Sequence, residues 1–127
     1  MNEDIKYWLD LAEYDLGTAE AMLAAARYTY VLFMCQQAIE KIVKAHVVKT
    51  TESFPPRLHN LLRLLTLAKL ETTDENKKFL EKLSYYYLET RYPEEKKKIS
   101  AQINKTLAEE YLMKTKELFG WLKEKLL

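Results

Sequence analysis

The stretch from Thr29 to Thr50, TYVLFMCQQAIEKIVKAHVVKT, decides the fold. Placed around a helix at about 100° per residue, Gln36, Gln37, Glu40, Lys41 and Lys44 fall within one arc of about 140°. Val31, Leu32, Met34, Cys35, Ala38, Ile39, Ile42, Val43, Ala45 and His46 fill the opposite side. So clean a separation predicts an amphipathic helix over 29–50. Ser53, Phe54, Pro55 and Pro56 end it, because proline lacks an N–H donor and restricts the residue before it.

The flanking segments carry the same period. Ile5, Trp8, Leu9, Ala12, Leu16, Ala19, Met22, Leu23 and Ala26 recur at spacings of three and four, predicting a first helix over 3–26 with Glu3 and Asp4 at its positive end. Gly17 inside it costs about 1 kcal/mol relative to Ala, and a close helix crossing is its plain explanation. Leu58, Leu61, Leu62, Leu64, Leu65, Leu67 and Leu70 predict a third helix over 57–70 with little polar surface, buried or at an interface. Thr73 or Asp74 caps a fourth helix reaching about Thr90, with Phe79, Leu83, Tyr86 or Tyr87, and Thr90 facing inward, and Pro93 stops it. The segment 94–105 is charged and weakly periodic and is expected to be a loop. Thr106 and Glu109 have the spacing of a capping box that opens a last helix through Leu126. The expected fold is one all-α domain spanning 1–127, an up-and-down bundle of four to five helices.

Composition narrows function by exclusion. Two glycines in 127 residues cannot build a glycine-rich phosphate loop or the turns of an antiparallel β-protein. Twenty Lys and Arg against 19 Asp and Glu leave a formal charge of +1, which argues against an extended nucleic-acid track but permits a local anion pocket. Cys35 is the single cysteine, so no internal disulfide or cysteine-cluster metal site is expected. An acidic start and the lack of a long apolar run predict neither a secretory signal nor a membrane span, with a reducing cytoplasm as the default.

The polar arc of the second helix carries the first chemical signal. Glu40 with Lys44, and Gln37 with Lys41, are i,i+4 neighbours, and their plain reading is a solvated face held by such pairs. His46 lies in the apolar arc, where a packed histidine with one hydrogen-bond partner is expected. Cys35 is eleven residues before it and no further ligand is near, so no metal site and no cofactor are assigned.

The run Gln36-Gln37-Ala38-Ile39-Glu40-Lys41-Ile42-Val43-Lys44-Ala45 resembles the Q-Q-A-x-E-K-x-x-K-A pattern of the HEPN domain family. Three further features follow the family order: Trp8, Ala12 and Asp15-Leu16 in the opening helix, Pro56-Arg57-Leu58-His59-Asn60-Leu61 before the third, and Arg91-Tyr92-Pro93 after the fourth. The resemblance implies a helical bundle that dimerises. It also implies one of two activities. Some members are metal-independent ribonucleases carrying R-x(4–6)-H, while others bind nucleotides or pair with a minimal nucleotidyltransferase, in some cases as a toxin and antitoxin.

The positions that the nuclease motif requires after Arg91 hold Lys96, Lys97 and Lys98, and a lysine protonated at neutral pH is no general base. The expected function is therefore a non-catalytic module that binds a nucleotide, another phosphate-bearing ligand or a nucleotidyltransferase partner through Arg91, Tyr92, His59, Lys41, Lys44, Gln37 and Glu40. Tyr85, Tyr86, Tyr87 and Tyr92 offer ring faces for a base. Arg91 can equally bond the last carbonyls of its helix or pair with Glu40 or Glu89. Two alternatives stand beside this: an RNA endonuclease pairing Arg91 with a displaced His59, which needs the third helix beside the end of the fourth, and a dimeric adaptor whose business is assembly.

Overall fold

The computed structural model describes residues 2–89 and 92–127, without the side chains of residues 93, 95 and 96. The described residues form six helices and no strand. Asn2 opens α1 (Glu3–Ala24) by accepting the Ile5 N–H at 2.8 Å on its side-chain oxygen, with Glu3 and Asp4 in the first turn. α1 ends two residues before the periodicity does. Ala26 adopts a left-handed φ of 58°, its N–H reaches the Leu23 carbonyl, and the Arg27 N–H reaches that of Met22 at 2.8 Å. This pair of bonds closes the helix end and reverses the chain within three residues, so α2 (Tyr28–Thr51) folds back along α1.

α2 is the axis of the bundle. It packs on α1, on α6 (Lys105–Leu126), on α4 (Asp74–Glu89), on the short α3 (Leu61–Leu67) and on α5 (Pro93–Gln102). Enclosed in this way, it buries its apolar side from Val31 to Val48 and also Gln36, Glu40 and Lys44, which the sequence had placed on a solvated face. The reason is topological: a helix with neighbours on most sides has little outward face to give its polar arc, and of that arc Gln37 and Lys41 keep partial exposure.

The remaining elements refine the sequence reading. α3 is shorter than 57–70, beginning at Leu61 behind Asn60, whose side chain accepts the Arg63 N–H at 3.1 Å. Its Leu61, Leu64 and Leu65 are buried, whereas Leu67 is exposed. Thr73 caps α4 by accepting the Asn76 N–H, and Phe79, Leu80, Leu83 and Tyr87 turn inward. Thr90 lies outside the described residues. The expected loop over 94–105 is instead α5, with Pro93 in its first turn, where a missing N–H is harmless and the fixed φ suits a helix. Among its described side chains, Ile99, with Ile103 just beyond the end, anchors it by burial, and two apolar residues set no visible period. α6 is capped by Asn104, which accepts the Leu107 N–H at 2.9 Å, so Thr106 lies inside the helix rather than at the head of a capping box. Gly17 is exposed, and a Cβ added there would meet nothing within 4 Å, so no close crossing explains it.

His46 is the packed histidine expected. Its Nε2 donates to the Leu122 carbonyl of α6 at 2.7 Å, and burial lowers its pKa below the ordinary 6.5, outweighing that bond. An imidazole whose native pKa is depressed binds more protons unfolded than folded. Its contribution is fully present above about 6.5 and is lost as pH falls from there towards the lowered native value. Thermal unfolding of His46→Gln, which keeps an N–H donor without a titrating ring, should show a shallower drop in Tm between pH 7 and 5 than wild type. Parallel curves would mean that His46 does not drive the acid sensitivity.

Candidate functional site

Positions 36, 40 and 44 are four residues apart, so their side chains stack along one face of α2. Trp8 of α1 covers one end of this row: the Lys44 ammonium sits 5.5 Å from its ring centroid. The connection between α2 and α3 covers the other end and brings in His59.

Glu40 is the centre of this row and is only 3% exposed. Its Oε2 accepts from Lys44 Nζ at 3.1 Å, and its Oε1 accepts from His59 Nδ1 at 2.9 Å and from Gln36 Nε2 at 3.3 Å. The Gln36 amide also donates to the His59 carbonyl at 3.3 Å, while Gln37 donates to Gln36 Oε1 at 3.1 Å. A carboxylate buried this deeply is tolerable only with such partners. Being acceptor-only, it fixes both the rotation of the His59 ring and its tautomer, with a proton on Nδ1.

His59 itself is half exposed. Its ring centroid is 6.1 Å from that of Tyr87, in the last turn of α4, and Tyr87 is backed by Phe33 of α2 at 4.9 Å. His59, Asn60, Leu62, Glu81, Ser84, Tyr85, Tyr87 and Leu88 line a cleft of about 450 Å³. The α2–α3 connection thus does lie beside the end of α4. A larger groove of about 890 Å³ between α4 and α6 contains none of the residues singled out from the sequence as binding a ligand.

The structure gathers Gln37, Glu40, Lys44 and His59 into one network. Lys41 is drawn away from it, to an ion pair with Asp15 of α1. Tyr92 is exposed at the N-cap of α5, and Arg91 lies outside the described residues. Gln36, Asp15 and Trp8 appeared in the sequence only as motif or arc positions, and their bonds to Glu40, Lys41 and Lys44 were not expected. The available signal was the narrowness of the polar arc, since a helix apolar around most of its circumference is enclosed and its few polar residues need internal partners. Among the described residues no group of three or more His, Cys, Asp or Glu side chains could hold a metal ion. Cys35 is buried, and desolvation pushes its thiol up to about 11.

The HEPN domain family matches residues 5–126. The chain belongs to the HEPN domain family. The crystal structure of TT1696 from Thermus thermophilus is similar over almost its whole length, with a TM-score of 0.79 and 25% identity across 98% of this chain and 99% of that one. No curated protein matches the chain. No helix among the described residues is long and apolar enough to cross a membrane.

Removing one member of the Glu40–Lys44 pair leaves a buried charge uncompensated. Glu40→Ala should therefore cost about 3–5 kcal/mol in urea unfolding, whereas Glu40→Leu combined with Lys44→Met should cost much less. A double variant as unstable as the sum of its single changes would show that the two charges do not depend on each other.

Proposed function

We propose that this HEPN domain is a recognition module for a nucleotide or related phosphate-bearing ligand, centred on the cleft beside His59. The observation that carries the reading is a half-exposed imidazole, braced by a buried carboxylate, at the mouth of a cleft walled by tyrosines. The exposed ring of Tyr85 offers a face on which a base can stack, and His59 offers a partner for phosphate. In sequence, Arg91 follows by two residues the end of α4, the helix that carries Tyr85 and Tyr87, and in this reading its guanidinium joins them. Lys41 and Lys44, each held by a carboxylate, build the frame in this reading and do not contact ligand. Isothermal titration with ATP, GTP and UTP should give binding that His59→Ala weakens about tenfold or more, the worth of one charge-assisted hydrogen bond. No heat from wild type at millimolar nucleotide would end this reading.

One observation favours a second reading, a metal-independent RNA endonuclease. His59 packs against the last turn of α4 with Glu40 behind it, an arrangement in which an imidazole can exchange protons with a ribose hydroxyl. Cleavage of RNA by the purified chain, lost in both Arg91→Ala and His59→Ala, would support it. Identical traces for wild type and both variants would remove it.

A further inference from the structure

The hydrogen bond between Glu40 and His59 dictates what the other ring nitrogen can accept. A neutral imidazole carries one N–H. Glu40, ion-paired with Lys44 on its other oxygen, only accepts, and it stands 2.9 Å from Nδ1. The proton of neutral His59 is therefore committed to Nδ1, and Nε2 carries a lone pair. A phosphate dianion, also acceptor-only, meets that lone pair with repulsion rather than a hydrogen bond.

From this geometry we infer that phosphate binding at His59 is obligatorily coupled to the uptake of one proton, with Glu40 as the positioning residue that enforces the coupling. The inference rests on the nucleotide reading above. In the complex His59 is an imidazolium, donating through Nδ1 to Glu40 and through Nε2 to phosphate, whether the proton arrives from solvent or with the ligand. A ribose hydroxyl can instead donate to Nε2 of the neutral ring and needs no proton. The same cleft thus sorts its ligands by pH, favouring phosphate in its protonated state and hydroxyl in its neutral one.

The groups facing His59 are consistent with this division. From α2 come Glu40 and, behind it, Lys44, a pair whose charges cancel. From α4 come Tyr87, which packs on the ring, and Tyr85 and Glu81, which line the same cleft. Its own segment supplies Asn60. Glu81 favours the imidazolium but opposes phosphate, so a phosphate bound there depends all the more on the second proton of His59.

The chain has two histidines, so its imidazole nitrogens can be read individually by ¹⁵N NMR, with His46→Gln as the assignment control. At pH 8 the ligand-free protein should show His59 as the Nδ1–H tautomer and His46, which donates to Leu122, as the Nε2–H tautomer. Titration calorimetry at pH 8 with AMP and with adenosine, each in two buffers of different ionisation enthalpy, then counts protons. AMP should take up close to one and adenosine none. The Kd for AMP should rise with pH between about 7 and 9, and His59→Gln should abolish the proton uptake. An Nε2–H tautomer at His59, or AMP binding without proton uptake, would overturn the inference and leave the nucleotide reading intact. Absence of AMP binding at millimolar concentration would overturn both.

Discussion

The carboxylate of Glu40 is the constraint on which the site and much of its surroundings depend. It lies on the most enclosed helix of the bundle, where an ionised group without partners would cost several kcal/mol. One helical turn on either side supplies Gln36 and Lys44, but neither completes the set. The third donor must come from elsewhere in the chain, and it is His59. This explains why α3 starts at Leu61 rather than near Arg57. The His59 carbonyl is bonded to Gln36 and its ring to Glu40, so the residues before Asn60 are held against α2 and cannot enter the helical ladder.

Polar contacts also fix how α2 sits among its neighbours. Apolar packing alone lets one helix slide along another at modest cost, whereas a buried polar group has few acceptable positions. Asp15 with Lys41 sets the register of α1 against α2. On the opposite side, His46 bonds the Leu122 carbonyl, and Lys49 donates to the carbonyls of Lys125 and Leu126, closing the end of α6. The hydroxyls of Thr29 and Ser100, 3.2 Å apart, tie the start of α2 to α5. α2 is thus located by specific bonds on several flanks, and the leucines and valines between them supply the bulk of the burial.

The helices whose apolar residues recur over several turns were legible from sequence alone: α1, α2, α4 and α6 lie within a few residues of their expected spans. α5 was not, because Ile99 and Ile103 are too few to set a period and Pro93 reads equally as a stop or a start. For the site, the row of Gln36, Glu40 and Lys44 was visible as an arc whose narrowness pointed to enclosure, but not which neighbours enclose it. Whether a polar arc faces water depends on how many helices surround it, which is a tertiary fact. The meeting of His59 with Glu40 and Tyr87 was likewise beyond the sequence, since an irregular connection has no period from which to project the position of one ring. The family pattern did mark Gln36, Glu40 and Lys44 together, and the structure supplies a physical reason for that grouping: Glu40 accepts from both of the others.

The near-neutral total charge acquires a local meaning from this arrangement. Lys44 cancels Glu40 inside the protein, and Lys41 does the same for Asp15, so neither pair presents a net charge to a ligand. His59 is different because it bonds the buried carboxylate while half its surface meets solvent. Protonating it adds a positive charge to the cleft without breaking a bond of the frame, since Nδ1 donates to Glu40 in both states. The frame stays fixed while the cleft changes sign at one nitrogen. On the proposed reading, a chain with two glycines, unable to cradle phosphate with a backbone loop, offers an anion site whose strength is set by a single proton.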